Sequence, residues 1–138
     1  MKSWVVWIAV ICGACLVLLF PLTKGLLMVS KRAAGSESET AKQLVAIVQA
    51  ENRYRAAHHG SYARSLGDLD IAFRSTGYMY RYSASVNMAS GNIETYEIAA
   101  WPRSNRPSAH FFFADQSGVV RWELMRPANR QSPELKSN

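Results

Sequence analysis

The residues best suited to metal binding are few, and their spacing argues against a shared site. His58 and His59 are adjacent, so on a helix their side chains point about 100° apart and cannot easily chelate one ion. A metal would require His110 or a carboxylate to be brought close by folding. The predicted role of the pair is to place cationic groups at the C-terminal end of a helix, where they are favourable.

The carboxylates do not form a recognisable catalytic or calcium-binding pattern. Asp68 and Asp70 flank Leu69, but no second acidic cluster has calcium-loop spacing, so solvated turn residues are predicted. Asp115 to Gly118 reads as a hairpin turn. Ser117 lies outside any Gly-x-Ser-x-Gly elbow, and the sequence contains no glycine-rich phosphate loop.

The two cysteines, Cys12 and Cys15, have the spacing of a redox or metal motif but lie inside an apolar run. They are interpreted as small apolar residues. The sequence therefore predicts no catalytic, cofactor-binding or metal site, no cofactor and no small-molecule substrate. We expect a protein that is not an enzyme.

One aromatic and basic stretch suggests an alternative function. Tyr78, Tyr80, Arg81 and Tyr82, with Phe111 to Phe113, could form a platform on which nucleic-acid bases stack, as in a tethered DNA-capture domain. The other interpretation is that one aromatic row packs beneath a helix. Of 16 Lys and Arg residues, four lie in the first 32 positions and twelve follow, against 10 Asp and Glu. This weak excess favours packing and makes nucleic acid an unlikely partner.

The first part of the chain is strongly apolar. Trp4 to Phe20 contains no charge, and as a helix it would span about 25 Å of a hydrocarbon core about 30 Å thick. A cleaved signal peptide is the main rival, but the apolar run continues past Cys15 without a suitable cleavage site. The sequence predicts a transmembrane anchor with a basic flank over residues 1–32.

The rest of the 138-residue chain alternates between two periodicities. Residues 41–59 have apolar side chains at helical spacing, and a connector over residues 60–69 is expected to fold back onto that helix. From Gly77 onward the period changes to two, which predicts a four-stranded antiparallel meander. The fold class is therefore α+β, with a helix packed on a sheet over residues 33–126 and a flexible polar tail over 127–138.

This order of elements resembles the type IV pilin and type II secretion pseudopilin family. The matching stretches are AKQLVAIVQAENRYRAAHHGSYARSLGDL at 41–69, GYMYRYSAS at 77–85 and HFFFADQSGVVRWE at 110–123. The family's processing motif, a basic leader followed by Gly-Phe and a glutamate, is not matched, because no acidic residue precedes Glu37. The resemblance implies a pilin-like head that is tethered without processing.

The resemblance also implies a location and partners. It implies a single-pass protein of the inner membrane with its head outside the cytoplasm, assembling with similar subunits in secretion, adhesion or the cell envelope. Charge counting points the other way, because Lys24, Lys31 and Arg32 outnumber the positive groups before the apolar run. We expect the orientation that the resemblance implies.

Overall fold

The computed structural model describes most of the chain after the predicted anchor. The described residues are 36–74, 77–104, 106 and 108–136. The transmembrane anchor predicted over residues 1–32 lies outside them. Within the described residues, no helix combines the length and the apolar character that a bilayer crossing requires. Ser36–Asn138 forms one compact unit.

A stretch without glycine or proline builds helix α1, which is helical over residues 36–57. Of the side chains predicted to share one face, Leu44, Ile47, Val48 and Glu51 are buried and Tyr54 is half-buried. The intervening Lys42, Gln49 and Arg53 are exposed. The predicted amphipathic helix is therefore confirmed, with one face toward the core and one toward solvent.

The backbone conformation of Gly60 explains where α1 ends. Gly60 has a φ of +88°, a conformation that glycine adopts without steric cost, and its N–H donates to the Arg55 carbonyl oxygen at 3.0 Å. The connector then returns over the helix, with Tyr62 and Leu69 buried, and includes a short 3-10 turn at Leu66–Asp68. The predicted fold-back of the connector is confirmed.

Four strands form an antiparallel sheet in the order β1-β2-β3-β4, which confirms the predicted meander and the α+β class. Every strand pairs with its sequence neighbour, so short turns suffice to connect them. The bounds are Tyr78–Val86 for β1, Ile93–Pro102 for β2, His110–Asp115 for β3 and Val120–Leu124 for β4.

A register irregularity changes the facing of one residue. Alternation along β2 predicts that Ile93 shares a face with Thr95, away from Tyr96. In the structure Thr95 pairs with Ser85 and Ile93 pairs with Val86, so Glu94 is an extra residue in β2. Such a bulge reverses the facing of the residues beyond it, and Ile93 is accordingly buried in the core.

The core lies between α1 and one face of the sheet. Tyr96, Leu44, Ile47 and Ile98 are among its most completely buried side chains. The Tyr96 ring contacts the rings of Tyr62 and Tyr82, at centroid distances of 5.0 and 5.9 Å. The connector, α1 and the sheet therefore meet around Tyr96 of β2.

The C-terminal segment, residues 127–136, differs from the flexible tail that composition predicts. Trp122 N–H donates to the Pro133 carbonyl oxygen at 3.0 Å, and Leu135 N–H donates to the Val120 carbonyl oxygen at 2.8 Å. These bonds place the segment beside β4, where Ser132 is buried. The polar side chains that suggested mobility instead satisfy partners on the sheet.

Arg130 fastens this segment to the sheet. Its Nε lies 3.0 Å from Asp115 Oδ2, and a terminal guanidinium nitrogen lies 2.9 Å from Glu97 Oε1. Asp115 is buried, so removing its cationic partner would leave a poorly solvated carboxylate.

We predict that Arg130→Ala lowers the free energy of unfolding by about 1–3 kcal/mol, because charged hydrogen bonds to a buried group are lost. Urea denaturation of the full-length chain in detergent, followed by tryptophan fluorescence, measures the change. Arg126→Ala is the matched control, since the Arg126 side chain is 74% exposed and its ion pair with Glu123 should contribute less than about 1 kcal/mol. Equal losses in the two variants would contradict this role of Arg130.

Candidate interaction surface

The tyrosine row of β1 faces the helix and not solvent. Tyr78 is buried and Tyr82 half-buried beneath α1, while Arg81 lies on the opposite face of the sheet. Burial raises the pKa of Tyr78 to about 12, with the Glu37 carboxylate adding to the effect. The predicted base-stacking platform is therefore divided between two faces, and its tyrosines serve the core.

Glu51 is the most unusual member of that core, because its carboxyl group has no exposure to solvent. Its Oε2 accepts a hydrogen bond from Ala63 N–H at 3.1 Å, and its Oε1 lies 2.7 Å from the Tyr82 hydroxyl. That hydroxyl also lies 2.8 Å from the Ala63 carbonyl oxygen. One carboxyl group thus joins α1, the connector and β1.

The hydrogen count at this site favours a neutral carboxyl group. The Tyr82 hydroxyl has one hydrogen but contacts two acceptors, Glu51 Oε1 and the Ala63 carbonyl oxygen. Both contacts are satisfied when protonated Glu51 donates to Tyr82 and Tyr82 donates to Ala63. Desolvation by burial raises the pKa of Glu51, and the nearby Asp68 charge acts in the same direction. Burial likewise raises the pKa values of Tyr82 and Tyr96.

The outer face of the sheet, opposite α1, carries an apolar groove of about 340 Å³. Arg81 lies at one side of it, with its guanidinium carbon 5.6 Å from the centre of the Trp101 ring. The C-terminal segment contributes Pro127 and Ala128 to the opposite wall. The remaining lining residues are Ala99, Ala100, Phe111 and Phe112.

A second groove lies at the edge of β1 that pairs with no described strand. Trp101 lines both grooves, so the two grooves are adjacent. Phe73, Met79 and Arg103 are its exposed lining residues, and Phe73 and Met79 are 44% and 40% exposed. We call the residues Phe73, Met79, Arg81, Trp101, Arg103 and Phe111 the Trp101 surface.

His58, Asp68 and Asp115, three of the residues singled out in the sequence, have hydrogen-bond partners. His58 Nδ1 lies 2.8 Å from the Tyr54 carbonyl oxygen and its ring stacks on Tyr54, which matches a role at the helix end. Asp68 accepts hydrogen bonds from the Ser65 backbone N–H and hydroxyl. Asp115 accepts from Ser117 N–H within the predicted hairpin turn. Among the described residues, no three of His, Cys, Asp and Glu are grouped so that they could hold a metal ion.

Two contacts between distant residues were not predicted. His110 Nδ1 lies 2.6 Å from Glu37 Oε2, which joins β3 to α1. With its side-chain amide oriented so that both groups are satisfied, Gln43 accepts from Arg74 N–H at 3.1 Å and donates to the Arg74 carbonyl oxygen at 3.2 Å, which holds the segment before β1 against α1. Gln43, like Glu51, is a polar residue on the mainly apolar face of α1, and that position is the sequence signal for such a contact.

Comparisons of the chain with protein-family models, curated proteins and solved structures give no match. Function must therefore be inferred from the Trp101 surface and the sequence pattern.

We predict that Glu51→Gln is tolerated, because an amide can donate to Tyr82 and accept from Ala63 as the neutral acid does. A raised folded-state pKa stabilises the fold below the unfolded value of about 4.3, and this contribution is lost as pH rises through the folded-state pKa. Glu51→Gln should therefore become more stable relative to the parent chain as pH rises. Urea denaturation of both proteins between pH 4 and 8 measures this difference.

Glu51→Ala provides the comparison that tests the hydrogen bonds themselves. It leaves Ala63 N–H without its acceptor and opens a cavity, so a loss of about 2–4 kcal/mol is expected. If Glu51 is instead ionised in the fold, Glu51→Gln would be destabilised most at neutral pH. That result would rule out the neutral carboxyl group.

Proposed function

We propose that this chain is a non-enzymatic, membrane-anchored, pilin-like protein that acts by assembling with other proteins of the cell envelope. The observation that carries the proposal is the Trp101 surface. It offers accessible aromatic and aliphatic side chains on a sheet, with arginines at its border. Exposed apolar surfaces bordered by polar groups are typical of protein–protein contacts.

The sequence supplies the second support. An uncharged apolar run at Trp4 to Phe20 precedes the amphipathic residues of α1, and a helix followed by a connector and an antiparallel meander is the order that the pilin resemblance implies. A head tethered in this way would meet its partners by lateral contact within the membrane plane. Tethering raises the effective concentration of partners, so a modest surface can suffice.

The nucleic-acid alternative has less support from the described residues. With Tyr78 and Tyr82 facing α1, the groups left on the outer face for stacking are Arg81, Trp101 and Phe111. Trp101 and Phe111 lie beside apolar neighbours. A groove that binds single strands instead has basic residues along the path of the phosphate backbone. The alternative stays a prediction, and protein assembly is the function we propose.

Membrane orientation is tested by fusing alkaline phosphatase after Asn138, since that enzyme is active only outside the cytoplasm. We expect phosphatase activity and recovery of the chain in detergent extracts of membranes. A matched cytoplasmic reporter at the same position should be inactive. Activity of the cytoplasmic reporter alone, or full recovery without detergent, would overturn the proposal.

Assembly is tested by placing a photoreactive amino acid at Met79, on the Trp101 surface, and comparing it with the same residue at Gln49, on the exposed face of α1. In membranes of the native cell, we expect crosslinks to defined envelope proteins from position 79 and few from position 49. Equal crosslinking from the two positions would contradict a specific contact through this surface.

A further inference from the structure

The two edges of the sheet differ in whether a described segment of the chain pairs with them. Residues 133–135 of the C-terminal segment lie along β4 and form backbone hydrogen bonds with Val120 and Trp122. On the other side of the sheet, no described segment forms a β-ladder with the outer edge of β1. An edge of this kind presents backbone donors and acceptors that a further strand can pair with.

β1 also carries few of the features that block pairing. Its nine residues include neither proline nor lysine, and Arg81 is its one charged residue. The register irregularity lies at the far end, between Ser85 and Val86. Exposed apolar side chains lie at both ends of the strand, with Met79 40% and Val86 45% exposed. A long apolar edge without such devices favours addition of a strand.

The positive charges of Arg81 and Arg103 near this edge indicate which kind of partner it fits. Within the described chain, Arg81 and Arg103 have no carboxylate within ion-pair distance. Arg81 lies over Trp101, and Arg103 donates weakly to the Tyr78 carbonyl oxygen at 3.5 Å. Both arginines are exposed, so carboxylates of a partner could reach them.

A second copy of this chain fits the edge poorly. In a fully overlapping antiparallel pair of β1 strands, Arg81 would lie on the same face as Arg81 of the copy, at the diagonal position about 7–8 Å away. Like charges at that position oppose pairing, and no acidic residue of β1 offsets them. A strand that brings carboxylates to this position is favoured instead.

We propose that the edge of β1 binds an extended segment of another protein in which acidic and apolar residues alternate. The acidic residues would lie on the outer face, beside Arg81 and Arg103, and the apolar residues would lie on the helix side, near Phe73. Backbone hydrogen bonds to β1 supply affinity, and the two arginines supply selectivity. This assignment rests on the proposed function, because it names the partner class of the Trp101 surface.

The test uses the full-length chain in detergent micelles and a blocked nine-residue peptide that alternates glutamate and valine. Fluorescence anisotropy of the labelled peptide measures Kd, and amide hydrogen exchange measures protection along the chain. We expect saturable binding below about 1 mM, stronger at low salt, with new protection confined to residues 78–86.

Charge reversal tests selectivity. Arg81→Glu should weaken binding of the glutamate–valine peptide about tenfold and improve binding of a lysine–valine peptide by a similar factor. Arg103→Glu is a second variant with the same expectation, in case Arg81→Glu perturbs the fold. Arg53→Glu is the matched control, since it makes the same charge change on the exposed face of α1, and it should leave both affinities unchanged.

Several results would overturn the strand site. These are no binding of the glutamate–valine peptide, binding without protection of β1, or an equal loss of affinity in Arg53→Glu. Protection of β1 in a dimer formed without peptide would favour self-pairing instead. If the peptide does not bind but the phosphatase fusion is active outside the cytoplasm, the strand site is rejected and the proposed function is not. Peptide binding by a chain that needs no detergent would reject only the proposed membrane role.

Discussion

The domain depends on placing one carboxyl group in its interior without leaving it unsatisfied. Glu51 lies on the apolar face of α1, where an unpaired carboxylate would cost more than most single contacts contribute. Ala63 and Tyr82 remove that cost only if the connector and β1 both occupy their observed positions. The carboxyl group therefore specifies how three elements meet, whereas the surrounding apolar contacts would tolerate several arrangements.

The buried contacts of Tyr82 also determine which residues lie on the opposite face of β1. Tyr78 and Tyr82 lie beneath α1. Successive residues of a strand face opposite sides, so Met79 and Arg81 must face outward. Antiparallel pairing then brings Trp101 opposite Met79 on the same face. The accessible aromatic surface is thus fixed by buried contacts on the other face of the same strand, and a change in register would remove both together.

Periodicity made much of the fold predictable, because α1 and the four strands each bury a single face. Residues that break a simple period were not predictable: Glu94 forms a bulge that turns Ile93 inward, and no local pattern announces it. The C-terminal segment was misjudged for a related reason. Arg130 and Ser132 look like solvated tail residues, and their role depends on Asp115 and Glu123, which fold next to them from earlier in the chain.

The C-terminal segment also decides which part of the outer face remains open. Arg130 is bound to Glu97 and Asp115, so the segment covers the β3–β4 side of the sheet, while Pro127 and Ala128 stop beside the groove. The segment lies beside Phe111, which shares the outer face with the charged residues Arg121 and Glu123. The β1 side keeps Arg81 and Arg103, which form no ion pair with a described residue, so contact on that side is where charge can select the partner. Polar residues that contribute little to the core thereby determine the extent of the Trp101 surface.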